Sequence, residues 1–264
     1  MQEIGQTALW VAGMRALETE RSNPLFRDPF ARRLAGDTLV EELRRRNAGE
    51  GAMPPAIEVR TRWLDDQITL GLGRGIRQIV ILAAGMDARA YRLAWPGDTR
   101  LFELDHDAVL QDKEAKLTGV APKCERHAVS VDLADDWPAA LKKSGFDPGV
   151  PTLWLIEGLL VYLTEEQVTL LMARVNALSV PESIVLIDVV GRSILDSSRV
   201  KLMHDLARQF GTDEPEVILR PIGWDPHVYT TAAIGKQLGR WPFPVAPRGT
   251  PGVPQGYLVH GVKR

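Results

Sequence analysis

Cysteine is nearly absent from this sequence. The single one, Cys124, excludes an intramolecular disulfide. With five scattered histidines it forms no spacing that would ligate a metal, so none is expected. Long apolar runs are missing as well: none approaches the about 20 residues that a membrane span needs. The start, Met-Gln-Glu-Ile-Gly, lacks the basic residues and apolar core of a secretory signal, so a cytoplasmic location is expected. Nor does charge of one sign dominate. Thirty-two basic and 34 acidic residues leave a formal net charge of −2. The densest basic cluster, Arg44-Arg45-Arg46, follows Glu41-Glu42 as a solvated helix face would. There is no electrostatic case for nucleic acid. What remains is a globular composition, 45% hydrophobic and 25% charged over 264 residues, enough for a sizeable core.

Two further absences bear on ligand class. The chain has no G-x-G-x-x-G triplet after its first strand-like run, and no Walker lysine follows. That argues against a dinucleotide or a nucleoside triphosphate. Yet the stretch from Arg77 to Asp105 organises the rest. An apolar run, Gln78 to Ala83, meets a small-residue turn, Ala84-Gly85, then a helix-like segment, then a second run ending in Glu103, Leu104 and Asp105. Strand, glycine turn, helix, strand and acidic tip make half of a nucleotide-binding α/β unit. The acid about 20 residues beyond the glycine can accept hydrogen bonds from ribose hydroxyls. A ligand with a ribose and no phosphates fits, S-adenosylmethionine being the common one. An ordinary turn and an ordinary loop acid fit this stretch equally.

In order, residues 6–20 read as an amphipathic helix with Leu9, Ala12, Met14 and Leu17 on its apolar side and Arg15, Glu18 and Glu20 on its polar side. Asp28-Pro29 reads as an N-cap and first helical proline, starting a helix through Leu34. Helices are also expected over 37–47 and 56–72, so the first 75 residues form a helical cap. Residues 76–190 form a core with helices alternating with strands that end at or just before Gly85, Asp105, Asp132 and Glu157, plus a fifth strand over 183–188. Residues 194–210 read as a helix, 211–228 as loop, 230–238 as a helix, 242–254 as irregular, and 257–262 as a last strand; 191–264 is the expected substrate lid and last strand of a single domain. Strand–helix alternation implies a mostly parallel sheet with helices on both faces, an α/β Rossmann-like fold with its site beyond the strands' carboxyl ends. Three acids on that edge are costly to bury unless something polar sits there.

Five pieces in order carry a resemblance: T-A-L-W-V-A-G-M-R-A-L-E (7–18), D-P-F-A (28–31), A-A-G-M-D-A-R-A-Y-R-L (83–93), F-E-L-D (102–105) and I-E-G-L-L-V-Y-L (156–163). The chain resembles the leucine carboxyl methyltransferase family, and within it the bacterial branch that includes tetracenomycin-type polyketide O-methyltransferases. The resemblance covers about residues 6–190. It implies a class I methyltransferase fold and S-adenosylmethionine as cofactor. It assigns Arg60 to the methionine carboxylate, where planar bidentate pairing suits arginine. Ala84 and Gly85 become the cofactor turn, Asp105 the ribose acid, Asp132 and Leu133 the adenine contacts, and Glu157 the partner of the methionine amino group. Arg15 stands roughly where the leucine carboxyl enzymes have a lysine, or is a helix-surface arginine. Relatives often have glycine at position 83 and threonine at position 88, where this chain has Ala83 and Ala88.

Tyr162 is a candidate for the substrate pocket or for ordinary packing. Arg89 reads as structural, bonding loop carbonyls or Asp87. Arg62 reads as a surface charge, His106 as a loop histidine, and Trp10, Trp63 and Trp154 as core. Cys124 lacks the electropositive neighbours of a nucleophile. There is no Ser-His-Asp or Cys-His arrangement for acyl transfer. His204 and His227 are candidate bases for a phenol acceptor only, and no catalytic residue is assigned. Met203, Leu206, Phe210, Trp224, Tyr229, Trp241 and Phe243 suit a flat aromatic acceptor or a plain core. The expectation is O-methylation of a small molecule, an aromatic polyketide-like carboxyl or hydroxyl compound, by in-line transfer. Rivals are methyl esterification of a protein C-terminus, cofactor binding without catalysis, and a nicotinamide-dependent dehydrogenase, the last disfavoured by the missing glycine triplet and Tyr-x-x-x-Lys pair.

Overall fold

A computed structural model describes residues 2–47, 53–195 and 209–264. Four helices come first: α1 (Gln2–Thr19), α2 (Ala31–Ala35), α3 (Asp37–Asn47) and α4 (Ala56–Gly73). Then follow β1 (Gln78–Leu82), α5 (Arg89–Arg92), β2 (Arg100–Asp105), α6 (Asp107–Lys116), β3 (Glu125–Ser130), α7 (Trp137–Lys143) and β4 (Thr152–Ile156). A 3-10 turn (Leu160–Tyr162), α8 (Glu165–Ala177), β5 (Ile184–Val190), α9 (Arg192–Leu195), two more 3-10 turns (Pro215–Ile218 and Arg220–Ile222), β6 (Trp224–Thr230), α10 (Thr231–Gln237) and β7 (Gly256–Lys263) complete the order among the described residues. The strands form one sheet, β3-β2-β1-β4-β5-β7-β6, parallel from β3 to β5 and antiparallel at β7 and β6. This is the Rossmann-like, mostly parallel α/β fold that strand–helix alternation predicts.

Residue parity divides the interior. Side chains alternate across a strand, so Ile79 and Ile81 of β1 join Leu101, Leu153, Leu155 and Leu186 on one face. Helix α4 covers that face with Val59, Trp63, Leu64 and Ile68. Val80 and Leu82 face the other way, with Phe102, Trp154 and Ile156. There Trp137 of α7 and Val168, Met172 and Val175 of α8 close the second core. Trp154 packs between Trp137 and Phe146 and donates its indole N–H to Ser179 Oγ at 2.9 Å. The capping box at α8 forms as its Thr-x-x-Gln spacing predicts, Thr164 with Gln167.

Three sequence expectations change. Residues 224–228, read as loop, and Thr230, read as the start of a helix, belong to β6; Pro226 argues against a strand in sequence, but β6 lies at the sheet edge, where a missing N–H is tolerated. Helix α1 is not one-sided: Ala12 through Ala16 are all buried, and so are Arg15 and Glu18. Their charges are met by Asp28 and Arg240, which removes the need for a wet face. Asp28 does not cap a helix directly after Pro29; α2 begins at Ala31, and the Asp28 carboxylate instead accepts from Phe30 N (3.1 Å) and Arg15 Nε (2.9 Å). The expected helix 194–210 lies largely outside the described residues, as do Met203, His204 and Leu206. No helix among the described residues is long and apolar enough to cross a membrane.

The turn after β1 holds one local cost. Ala83 has φ +53°, a left-handed conformation that costs a residue with a Cβ roughly 1–2 kcal/mol. Ala83→Gly relieves it and loses part of the gain to unfolded-chain entropy, so stability should rise by about 0.5–1 kcal/mol. Ala83→Val, β-branched, should lower stability by more than about 1 kcal/mol. Urea denaturation of both variants checks this, and equal midpoints would remove the strain.

Candidate active site

Strand order reverses between β1 and β4: β2 and β3 lie to one side, β5 to the other. Beyond the carboxyl ends at such a reversal an α/β sheet leaves its ligand crevice. Four of the predicted positions sit on that rim. Ala84 is buried and Gly85 half-buried in the turn after β1, Gly85 at φ +49°. A Cβ built on Gly85 would stand 3.0 Å from the Ala8 Cβ of α1, so α1 rests on the turn. At the tip of β2, Asp105 is buried; one carboxylate oxygen accepts from Gly85 N and the other from His106 N, both at 2.7 Å. Each oxygen keeps a lone pair for a further donor. Glu157 follows β4.

Glu157 is held between two arginines. Its Oε1 accepts from Arg60 Nε at 2.8 Å, and its Oε2 from Arg89 Nη1 at 2.8 Å. Arg60, in the second turn of α4, also donates from Nη1 to Asp188 Oδ2 at 2.9 Å, while Asp188 Oδ1 accepts from Gly158 N at 2.5 Å. Gly158 has φ +66°, and a Cβ there would lie 3.6 Å from both terminal nitrogens of Arg60. A side chain at 158 would lie in van der Waals contact with that guanidinium and cover part of it. Arg89 bonds Asp87, as the sequence reading has it, and is also a wider hub: it bonds Asp65 Oδ1 at 2.8 Å and Glu157. Arg92 pairs with Asp65 through two bonds, 2.6 and 2.8 Å. Arg15 donates to Asp28 and, at 2.5 Å, to the carbonyl of Met86. It is therefore a buried ion-paired arginine steadying the turn after β1, not a helix-surface one.

Across this network four guanidiniums (Arg15, Arg60, Arg89, Arg92) meet five carboxylates (Asp28, Asp65, Asp87, Glu157, Asp188). The excess is one negative charge. Burial pushes the Glu157 carboxyl up, but Arg89 and Arg60 outweigh it and hold the pKa at about 2. Burial likewise works against charge on Arg60, and Asp188 and Glu157 raise its pKa nonetheless.

The other predicted residues spread out. Asp132 is exposed just past β3 and accepts from Ala134 N at 2.8 Å; Leu133 beside it is half-buried. Tyr162 is half-buried in the 3-10 turn and lines a cavity of about 380 Å³. Trp10 and Trp241 line it too, whereas Trp63 packs against Tyr229 with ring centroids 5.9 Å apart. Glu103 is a structural acid: it lies fully buried against Lys113 Nζ at 2.7 Å and Arg126 at 2.8 Å. Arg62 pairs with Asp66 and the Leu25 carbonyl. His106 is the N-cap residue of α6. His227 is exposed on β6. Burial pushes the Cys124 thiol up to about 12, which is no nucleophile. Among the described residues no group of three metal-ligating side chains is placed to hold an ion.

Asp188 and Asp65 had no assigned role in the sequence. Asp188 did carry a signal, since the strand expected over 183–188 also ends at an acid; β5 itself runs on to Val190. Asp65 carried none, because its partners are 24 and 27 residues away.

The depressed Glu157 pKa fixes a pH window. A carboxyl that titrates lower in the folded than in the unfolded chain contributes stability that is complete above about 4.5 and is lost as pH falls toward about 2. Glu157→Gln should flatten the stability profile within that window. Denaturant midpoints at several pH values check it; parallel profiles would show that Glu157 is not held by its arginines.

A model of the family described as leucine carboxyl methyltransferase matches residues 8–176. A Streptomyces avermitilis protein named "putative S-adenosyl-L-methionine-dependent methyltransferase" is 38% identical over 282 residues, covering 99% of this chain and 96% of the relative. A like-named Mycobacterium tuberculosis protein is 34% identical, covering 98% and 94%. Among solved structures, a methyltransferase-like protein of Thermobifida fusca aligns with a TM-score of 0.57 at 20% identity, over 97% of this chain and 94% of that one. A DUF574 family protein of Streptomyces avermitilis aligns at 0.59 with 13% identity, over 96% and 97%. These two likenesses bear on the fold alone. With a family model spanning the cap, the glycine turn and the Glu157 segment, and relatives similar along nearly its whole length, this chain belongs to the leucine carboxyl methyltransferase family.

Proposed function

We propose that the chain is an S-adenosylmethionine-dependent O-methyltransferase acting on a small molecule, an aromatic polyketide-like compound methylated at a carboxyl or hydroxyl group. The observation that carries this is the Arg60–Glu157–Asp188 cluster at the sheet's reversal point, next to a largely apolar cavity. The donor set suits the cofactor's chemistry. Arg60 keeps donors beyond those given to Glu157 and Asp188, and Gly158 leaves its face uncovered; it would hold the methionine carboxylate. Glu157, ionised at neutral pH, would hold the amino group. The network's excess negative charge favours a cationic sulfonium. Asp105 would accept from the ribose hydroxyls while its bonds to Gly85 and His106 fix its orientation. The Ala84–Gly85 turn would let backbone approach the ligand, and Arg15 braces it through the Met86 carbonyl. Asp132 and Leu133 would meet the adenine amino group and ring.

When bound, the cofactor supplies a methyl group already activated on sulfur. The chain's task is then alignment and exclusion of water. Residues 1–75 serve as a cap, 76–190 as the cofactor core, and 191–264 as lid and last strand; Tyr162 lines the acceptor pocket. The cytoplasm is the proposed place of action. The family description favours a second reading, carboxyl methylation of a protein C-terminus; methyl incorporation into protein rather than into small acceptors would select it.

Titration calorimetry with S-adenosylhomocysteine, with NAD as control, tests the cofactor reading: saturable binding of the former alone is expected. Asp105→Ala should weaken that binding by about tenfold to a hundredfold, since a charged acceptor of hydrogen bonds is lost. Unchanged affinity would remove Asp105 from the site.

A further inference from the structure

The cavity that Tyr162 lines lies between α1, α4, the end of β5 and the start of α10. Trp10, Met14, Ile57 and Trp241 give it apolar walls. Arg60 and Asp188 are the charged side chains among its described lining residues. The Asp188 side chain is 15% exposed, and each of its oxygens already accepts one bond, from Arg60 and from Gly158 N. Among the described residues that leaves one lone pair per oxygen for a further donor, on a side chain that lines the cavity. Arg60 already pairs with Glu157 and Asp188, and in the reading above its remaining donors go to the methionine carboxylate, so none is left for an anionic acceptor. The Tyr257 phenol, also in the lining, donates toward Asp213 or Gln255, and burial pushes its pKa up to about 12. It is neither a free donor nor a base. Thr230 Oγ1 caps α10 by accepting from Ala233 N.

We propose that Asp188 receives the acceptor and that the acceptor presents a hydroxyl, not a carboxylate, from an otherwise apolar molecule. This rests on the methyltransferase reading above and narrows it. A hydroxyl can donate to the open lone pair of Asp188. A carboxylate has no proton to donate and carries the same charge, and like charges at contact in a site of low polarity repel strongly. Hydrogen bonding to Asp188 also draws the hydroxyl proton away from its oxygen. In the transfer, the oxygen lone pair forms the new C–O bond. The S–C bond breaks with its electron pair on sulfur, giving a neutral thioether, and the hydroxyl proton passes to Asp188 and then to water. The groups facing Asp188 are Arg60 of α4 and the Gly158 amide after β4, with Tyr162 and Tyr257 in the shared lining.

The test compares 2-naphthol with 2-naphthoate on the protein saturated with S-adenosylhomocysteine, by calorimetry at neutral pH. Wild type should bind the naphthol at least about tenfold more tightly, and Asp188→Asn, nearly isosteric, should shrink that preference to within about threefold. With S-adenosylmethionine and naphthols of graded acidity, Asp188→Asn should lose about a hundredfold in kcat. Its residual rate should climb with pH along the acceptor's own ionisation, a signature that a mere buttress of Arg60 would not produce. Equal or reversed preference in wild type, or binding of neither compound, overturns the proposal, and so does an Asp188→Asn rate with an unchanged pH profile. Failure of wild type to bind S-adenosylhomocysteine would overturn the methyltransferase reading instead.

Discussion

The ionic chain Arg89–Glu157–Arg60 is the constraint on which the rest depends. A buried ion costs several kcal/mol of lost hydration, and pairing offsets this only when geometry is good and remaining donors are used. Here each link joins a different part of the fold: α4 through Arg60 and Asp65, the segment after β1 through Asp87 and Arg89, the end of β4 through Glu157, and the end of β5 through Asp188. None of these segments can shift alone without stranding a charge. The crevice inherits its shape from that interlock. Apolar side chains of the same volume would hold the segments as firmly, so the network is better understood as specifying positions and charge than as adding stability.

The charge itself is informative. Five acids against four arginines leave a negative balance around the crevice, in a chain whose formal net charge is only −2. The contrast with the Glu103 cluster is useful. There Glu103 and Glu114 meet Lys113 and Arg126, so the charges balance. The brace is thus electrically neutral, whereas the larger network at the rim carries an excess negative charge.

Most strands were legible because both faces of the sheet are covered: continuous apolar runs such as Thr152–Ile156 end within a residue of where they are expected. The rim acids were legible for the same reason, since a charge closing an apolar run is conspicuous. Legibility failed where a local rule met a tertiary exception. Pro226 speaks against a strand, yet an edge tolerates it. Arg15 and Glu18 speak for a wet helix face, yet Asp28 and Arg240 reach them. Pairings such as Arg89 with Asp65 join residues whose proximity exists only after the sheet forms, so no spacing rule announces them.

The position of β7 has a consequence for biosynthesis. It is the last of the seven strands to be made, but it lies inside the sheet, between β5 and β6. Until it emerges, β6 has no strand partner at all, and β5 presents an open row of amides and carbonyls along Ile184–Val190. Such an edge is an adhesive template for other chains. During synthesis the parallel half of the sheet is therefore ready before it is safe, and the interval before β7 docks is when a ribosome-bound chaperone would matter most to this protein.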